Sequence, residues 1–403
     1  MADHQFVRIT DVRQTKNNEC FVTCYIGDIE QEIAWQGAPP YIGDIYEIFS
    51  DKPPRKIASP APGAWTSDSD ALRWRKPVAP GQISRMEILR RRHVIRKAAR
   101  EYLDHEGFTE IDAPLLVRGT TPDGAVESFS CDDHYLATST EYQMKRLAMG
   151  GFEKIYSLTQ NFRTGDTGTF RNPEFTMLEF GRVGIRMDRI EQDAEGLVLN
   201  ALKMLGLPER ITYQGREIDM RRPWERLSVS EAVKRAAGVP LDDFELATCR
   251  KAVEAAGIEI RPQWAEDCDF LFSLLMEHIQ PQLGLHRPIF LTQWPMFQTT
   301  SAAGTEDEKF AERSELFIAG VELSDGFAGV ADADVQQYLF MDALAKRRAS
   351  GQANVELDQK YLDAMRFGAP PGAGMAMGFD RLVMLLTDQP HIKNVLAFAW
   401  DEL

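Results

Sequence analysis

The chain has 403 residues, of which 61 are Asp or Glu and 46 are Lys or Arg, for a formal net charge of −15. That length allows one large core plus a small appended domain, and 44% hydrophobic with 27% charged residues is ordinary for a globular enzyme. No apolar run reaches the ~18–20 residues of a membrane span, and the acidic balance argues against a protein that grips a large polyanion by its backbone.

The N-terminus, MADHQFVRITDVRQ, lacks the basic and apolar regions of a signal peptide and predicts a cytoplasmic protein. Residues 1–50 read as short strands: Val7, Ile9 and Val12 begin the pattern, residues 21–26 (FVTCYI) are β-rich, and residues 33–35 and 45–49 follow. Gly27-Asp28, Gly37 and Gly43-Asp44 mark the turns between them. Several short strands at this spacing predict a small β-barrel or sandwich, OB-like in type. Residues 51–82 carry Pro53, Pro54, Pro60, Pro62, Pro77 and Pro80, a density that marks a linker without regular structure.

From residue 83 the pattern becomes helical. Ser84 and Glu87 form a capping box, and Met86, Leu89, Val94 and Ala98 give an apolar stripe. The run Arg90-Arg91-Arg92 reads as a solvated helix face or an interface. Gly107 closes the helix, and Phe108–Ile111 is a strand leading into Pro114. Residues 183–285 read as mainly helical, and strands return at 289–294, 315–331 and 374–379. Helices mixed with antiparallel strands across 83–403 predict one large α+β domain. The five cysteines (Cys20, Cys24, Cys131, Cys249, Cys268) are scattered without zinc-site spacing and read as buried thiols.

Residues 314–323 (SELFIAGVEL) read as a hairpin turning at Ala319-Gly320. Pairing Ile318 with Val321 sets Phe317 opposite Glu322 and Ser324 opposite Glu315. Glu315 and Glu322 then share one face as diagonal neighbours, roughly 7–8 Å apart. By themselves they are either solvated edge carboxylates or ligands for a hard cation.

Three further segments carry chemistry. Residues 107–114 (GFTEIDAP) run from a helix into a strand ending at proline. Residues 162–179 (FRTGDTGTFRNPEFTMLE) are strand, loop and strand. Residues 374–385 (GMAMGFDRLVML) are a glycine-rich strand entering a helix. In this order they resemble motifs 1, 2 and 3 of class II aminoacyl-tRNA synthetases. Residues 138–147 (TSTEYQMKRL), 172–179, 222–228, 287–290, 320–327 and 395–400 resemble the lysyl branch. They are most similar to the elongation factor P–(R)-β-lysine ligases, paralogues of lysyl-tRNA synthetase, and the likeness spans residues 83–403.

The resemblance implies the class II catalytic fold, a homodimer formed through motif 1, ATP with Mg²⁺, and an aminoacyl-adenylate intermediate. Attack of a carboxylate on the α-phosphate of ATP needs fixed positive charge. Arg163 and Arg381 are then the phosphate ligands, because a guanidinium can bind two oxygens at once. Arg171 suits the terminal phosphate, Phe175 stacks against adenine, and Glu315 and Glu322 hold the metal. Glu141 would bind the substrate α-amino group, with Glu179, Asp325 and Phe327 lining the same pocket.

Four departures qualify that likeness. The lysyl tyrosine after motif 2 is Gly181, and a glutamate two residues after the Gly-Phe pair is Gly329. Both family residues help bind the distal ammonium of lysine. The asparagine before Gly-Phe is Asp325, and the adenine-contacting glutamate is Gly165, with Asp166 beside it. A substrate altered from lysine follows, because a site stripped of its polar partners discriminates poorly for the old ligand. The ligase-like catalytic length, acidity and short N-terminal domain favour transfer to a protein or small-molecule acceptor. A minimal lysyl-type tRNA ligase and a catalytically inactive regulator are the alternatives. The first 80 residues carry slightly more acidic than basic side chains. Phe21, Tyr25, Trp35 and Tyr46 therefore read as core, and the N-terminal domain as a docking or dimer-supporting module rather than an anticodon reader.

Overall fold

The computed structural model describes residues 4–17, 19–26, 29–50, 52–61, 73–79, 81–306 and 309–403. The chain divides into two compact units, Met1–Arg90 and Arg91–Leu403.

The first unit is built from β1 (His4–Gln14), β2 (Cys20–Ile26), β3 (Ile29–Trp35), β4 (Ile45–Phe49) and β5 (Arg55–Ala58). Among the described residues these form one antiparallel sheet in the order β3-β2-β1-β4-β5. Alternation along β1 and β2 sends Val7, Ile9, Cys20, Val22 and Cys24 to one buried face, which Trp35 completes. Trp35 rests edge-on against Tyr46 at 4.8 Å between ring centroids. Phe21 and Tyr25 are only half-buried, each beneath a guanidinium, Arg13 and Arg75 respectively. The proline-rich stretch is less irregular than its composition predicts. β5 lies inside it because Pro53 and Pro54 precede the strand and Pro60 follows it, so no proline interrupts its pairing with β4. The expected turn at Gly27-Asp28 and the residues Pro62 and Pro80 lie outside the described residues.

Helix α1 (Arg85–His105) begins where expected, with Ser84 Oγ accepting a hydrogen bond from Glu87 N at 3.2 Å. After it come β6 (Thr109–Glu110), β7 (Leu116–Val117), β8 (Ser130–Cys131), β9 (His134–Leu136), α2 (Glu141–Met149), β10 (Lys154–Phe162), β11 (Glu174–Val183) and α3 (Met187–Met204). Next are β12 (Arg210–Tyr213), β13 (Arg216–Asp219), β14 (Glu225–Ser228), α4 (Val229–Ala237), α5 (Leu246–Ala255) and α6 (Cys268–Ile279). The chain closes with β15 (Ile289–Pro295), β16 (Phe310–Ile318), β17 (Val321–Ala328), α7 (Ala333–Ala349), α8 (Gln359–Phe367), β18 (Gly372–Gly378) and α9 (Phe379–Leu386). The span 183–285 is mainly helical as expected, with α3 to α6, and the short strands β12 to β14 interrupt it. They are four residues each, too short for a period-2 pattern to stand out between helices.

The second unit is α+β, organised by a sheet in the order β14-β15-β16-β17-β18-β11-β10-β6. Its pairs are antiparallel except the outermost, β14 with β15 and β6 with β10. Helix α3 covers one face, where Arg182 is buried against Asp193 at 2.7 Å. Arg182 points to that face, so its odd-numbered neighbours on β11 point to the other. Helices α4, α5 and α6 pack with Leu227, Leu291, Trp294 and Phe317 into a second core cluster. Of the cysteines, Cys20, Cys24 and Cys249 are buried and Cys268 is partly so, whereas Cys131 is exposed on the short edge strand β8. The expectation of a buried thiol therefore fails at Cys131.

The hairpin turn at Ala319-Gly320 forms as expected, with φ of +55° and +79°, the left-handed pair that two-residue turns require. A Cβ on Gly320 would lie 2.7 Å from the carbonyl oxygen of Pro281. Gly320→Ala should therefore destabilise the protein by about 1–3 kcal/mol, read as a lowered urea midpoint. An unchanged midpoint would show that the turn can be remade around a side chain.

Candidate active site

The registers of four neighbouring strands build the site. Glu179 on β11 sits opposite Ala376 on β18, Ala376 opposite Asp325 on β17, and Asp325 opposite Glu315 on β16. Two residues further along, a second row runs Gly181, Gly374, Phe327, Arg313. Residues in register, and residues two apart, share a face, so both rows belong to the face turned away from α3. A bulge makes this possible. Ile318 pairs with Val321 and Phe317 with Glu322 as expected, but the register then slips, so Leu316 meets Ser324 and Glu315 meets Asp325. The expected pairing of Glu315 with Ser324 is thus corrected by one residue. The extra residue in β17 reverses the side-chain parity, so Glu322 and Asp325, three apart in sequence, both join Glu315.

One end of the sheet collects the residues assigned to ATP. Arg163 follows the last residue of β10, Phe175 is the second residue of β11, Glu322 the second of β17, and Arg381 lies in the first turn of α9 directly after β18. The Arg163 guanidinium lies 5.2 Å from the centroid of the Phe175 ring. Its Nε is buried without a hydrogen-bond partner among the described residues, a donor held ready for a ligand. Arg381 donates from Nη1 to the Glu322 carbonyl at 2.7 Å and from Nε to the Phe170 carbonyl at 3.2 Å, which fixes the fork. Asp380 anchors α9: it accepts from Thr176 N at 2.8 Å and pairs with Arg92 at 2.5 Å. Arg92 therefore departs from the solvated helix face expected of its run. Arg171 stays largely exposed and pairs with Asp166 at 3.3 Å, so Asp166 faces an arginine in the loop.

The six residues assigned to the amino acid, Glu141, Glu179, Gly181, Asp325, Phe327 and Gly329, all line one cavity of about 160 Å³. Its remaining wall is mostly apolar, with Met144, Met149, Ile155, Val330 and Met375 among the lining residues. Glu141 opens α2 and its Oε1 accepts from Lys145 Nζ at 2.7 Å. Glu179 is buried and accepts from Ser139 Oγ at 2.5 Å, Thr140 N at 2.7 Å and Thr140 Oγ1. Burial pushes its carboxyl above the usual range, and those three hydrogen bonds oppose the push. Gly181 and Gly329 form part of the wall itself. A Cβ at Gly181 would make only ordinary contacts, 3.5 Å from the Ala373 carbonyl oxygen, and one at Gly329 would meet Lys145 Nζ at 3.2 Å.

Arg313, which sequence reasoning missed, ties Glu315, assigned above to the metal, to Asp325, assigned above to the amino-acid pocket. It grips Asp325 with two bonds of 2.9 and 3.0 Å, donates to Glu315 Oε1 at 2.6 Å and to the Gln298 carbonyl at 2.6 Å, and stacks over Trp294. The alternation Arg313-Ser314-Glu315 on a strand was the signal available, since i and i+2 share a face. Burial raises the Glu315 carboxyl well above its ordinary range and raises Asp325, with Arg313 opposing both. The Glu315 Oε2 atom is buried without a hydrogen-bond partner among the described residues. An orphaned carboxylate oxygen is costly alone and suits a hard cation shared with phosphate oxygens. No group of three or more His, Cys, Asp or Glu is placed to hold a metal ion among the described residues. The donor set thus fits a metal completed by ligand oxygens rather than a cage made by the protein alone. No helix among the described residues is long and apolar enough to cross a membrane.

Residues 81–402 match the family model described as tRNA synthetases class II (D, K and N). The lysine–tRNA ligase of Chloroflexus aurantiacus is 32% identical over 323 residues, 78% of this chain and 65% of that protein. The lysine–tRNA ligase of Pelotomaculum thermopropionicum is 32% identical over 415 aligned residues, 98% of this chain and 79% of that protein. That of Pediococcus pentosaceus is 33% identical over 322 residues, 78% of this chain and 64% of that protein. The matched span thus covers slightly less than two thirds of the Chloroflexus and Pediococcus proteins and 79% of the Pelotomaculum one.

Proposed function

The chain belongs to the class II tRNA synthetase family of the D, K and N type, and from that premise we propose that it activates an amino acid other than lysine as an aminoacyl-adenylate and transfers it to a protein or small-molecule acceptor. A substrate carboxylate oxygen attacks the α-phosphorus of ATP, and the bond to pyrophosphate breaks with its electron pair. An acceptor amine or hydroxyl then attacks the acyl carbon, loses its proton, and releases AMP. Arg163 and Arg381 balance the charge that moves onto the phosphate oxygens. Phe175 stacks against adenine, Arg171 meets the terminal phosphate, and Glu141 takes the substrate α-ammonium. Mg²⁺, bound through Glu315 and Glu322, would supply further positive charge at the phosphates. On this reading the working form is the motif 1 homodimer in the cytoplasm.

The observation that carries the reading is the single cavity shared by Glu141, Glu179, Asp325 and Phe327, in whose wall positions 181 and 329 are glycines. The carboxylates for an amino acid stay, while the two polar side chains that resemblance assigns to a lysine ammonium are gone. A second reading, a minimal tRNA ligase, draws support from the Pelotomaculum relative, whose alignment takes in almost the whole chain, the N-terminal unit included.

Pyrophosphate exchange into ATP with a panel of α- and β-amino acids tests the proposal. Exchange is expected, with lysine a poor substrate. Exchange with lysine at the level of a lysine–tRNA ligase would overturn the altered substrate, and silence across the panel would favour an inactive regulator. Labelled adenylate chased onto tRNA, elongation factor P and small amines separates the acceptors. Stable charging of tRNA would overturn the protein or small-molecule assignment.

A further inference from the structure

We propose that Arg92 is a positioning residue for ATP: with one guanidinium it holds the strand that carries Phe175 and the helix that carries Arg381 in fixed relation to each other. The inference deepens the ATP-binding part of the reading above and rests on it.

Arg92 lies on α1 and its side chain is largely buried. Its Nη2 donates to Thr176 Oγ1 at 2.8 Å, and its Nη1 pairs with Asp380 Oδ1 at 2.5 Å. Asp380 Oδ2 in turn accepts from Thr176 N at 2.8 Å. The three residues close a ring, one from the helix that leads into motif 1, one from motif 2 and one from motif 3. A guanidinium suits this corner because its planar fork can serve two acceptors at once, where an ammonium supplies a point charge.

Each partner of Arg92 adjoins a residue assigned to ATP. Thr176 follows Phe175 on β11, a strand whose pairings run without a register break. Successive residues of a strand point to opposite faces, so Thr176 turns to the α3 side while Phe175 turns into the site. Both the N–H and the hydroxyl of Thr176 are engaged, which fixes the strand directly beneath the Phe175 ring. On α9, Phe379 is buried against two guanidiniums, with Arg92 at 5.0 Å and Arg96 at 5.4 Å from its ring centroid. Asp380 pairs with Arg92, and the next residue, Arg381, reaches the Glu322 and Phe170 carbonyls. The first turn of α9 is thus held by α1 immediately before the arginine meant for phosphate. Asp380 is almost fully buried. A buried carboxylate that loses its cation must draw in water or a proton, and either response loosens Thr176 and the start of α9 together. Displacements of about 1 Å are enough to spoil a preorganised charge site.

The test is calorimetric titration of the full chain with MgATP, which needs no amino acid to be identified. The variants are Arg92→Lys, Arg92→Met and the double substitution Arg92→Met with Asp380→Asn, each also melted thermally. Arg92→Met should weaken MgATP binding by roughly 10-fold or more, the worth of one charge-assisted hydrogen bond, and lower the melting temperature. Arg92→Lys keeps a charge beside Asp380 without the two-pronged fork, so it should restore the melt more fully than the affinity. The double variant removes both buried charges and leaves position 380 an acceptor for Thr176 N. It should regain most of the lost stability while MgATP binding stays weak. If its affinity instead returns in step with its stability, Arg92 only compensates a buried charge and the inference falls. A folded Arg92→Met protein with wild-type affinity overturns it equally. Should Arg92→Met fail to fold, the lysine and double variants still decide. A folded wild type that binds no MgATP would instead remove the ATP-binding reading on which the inference stands.

Discussion

Arg381→Ala is expected to lower amino-acid-dependent pyrophosphate exchange by at least about 10²- to 10³-fold, the loss seen when one preorganised charge-stabilising group is removed from a reaction centre. The side chain is held by two neutral acceptors, the carbonyls of Glu322 and Phe170. Neither carries a charge, and the one carboxylate paired with it among the described residues, that of Glu322, is at 3.6 Å, longer than a hydrogen bond. The guanidinium is therefore fixed in direction by neutral acceptors and only loosely paired with a carboxylate, so a phosphate can compete for its charge. Removing it should leave the fold almost untouched. Its two hydrogen bonds are worth about 1 kcal/mol each, whereas α9 is anchored separately by Asp380 to Thr176 and Arg92. Arg381→Lys should recover only part of the rate, since an ammonium supplies charge without the two-pronged geometry. Exchange kinetics with a thermal melt on the same samples decide the matter. A folded Arg381→Ala protein with near-wild-type exchange would refute the role.

The order of motifs is legible in the chain because each has a local cause. Ser84 caps a helix, Ala319-Gly320 turns a hairpin, and alternating apolar residues mark β1 and β2. Glu141, Glu179, Phe327 and the two glycines can be assigned to one pocket from the amino-acid sequence, since resemblance carries residues position by position. Long-range register is not legible. The bulge in β17 that brings Asp325 onto the face of Glu315 leaves no mark in composition, because it depends on how β16 and β18 both pair with that strand. Arg313 escapes notice for the same reason. Its importance lies in bridging Glu315 to Asp325 across two strands, and a lone arginine on a strand usually means an ion pair at the surface. Lys145 falls within a motif, residues 138–147, and its pairing with Glu141 at i, i+4 is local, yet its nearness to Gly329, nearly two hundred residues away in the chain, is not legible there.

That nearness makes the double substitution Gly181→Tyr with Gly329→Glu the strongest probe of what the cavity selects. Neither glycine is required by its backbone, as both lie outside the left-handed conformations. A Cβ at Gly181 has ordinary contacts, and at Gly329 the only close neighbours among the described residues are Nζ and Cε of Lys145, the far end of a long side chain. Both changes should therefore fold. The added glutamate would share Lys145 with Glu141, which leaves one uncompensated negative charge where Glu141 and Lys145 now cancel. At an effective dielectric near 20, a unit charge 4 Å from an opposite one is favoured by about 4 kcal/mol before desolvation is subtracted. A gain of at least roughly 100-fold in kcat/KM for lysine is a conservative share of that, and sites built to bind a polar group discriminate by more. The tyrosine should also fill much of the cavity, so activity toward longer substrates should fall as lysine rises. Gly329→Glu alone should give most of the charge effect and Gly181→Tyr alone most of the volume effect, so the two halves can be read separately. If the folded double variant still ignores lysine while it exchanges with the wild-type substrate, positions 181 and 329 do not set the specificity, and the selection lies deeper in the pocket.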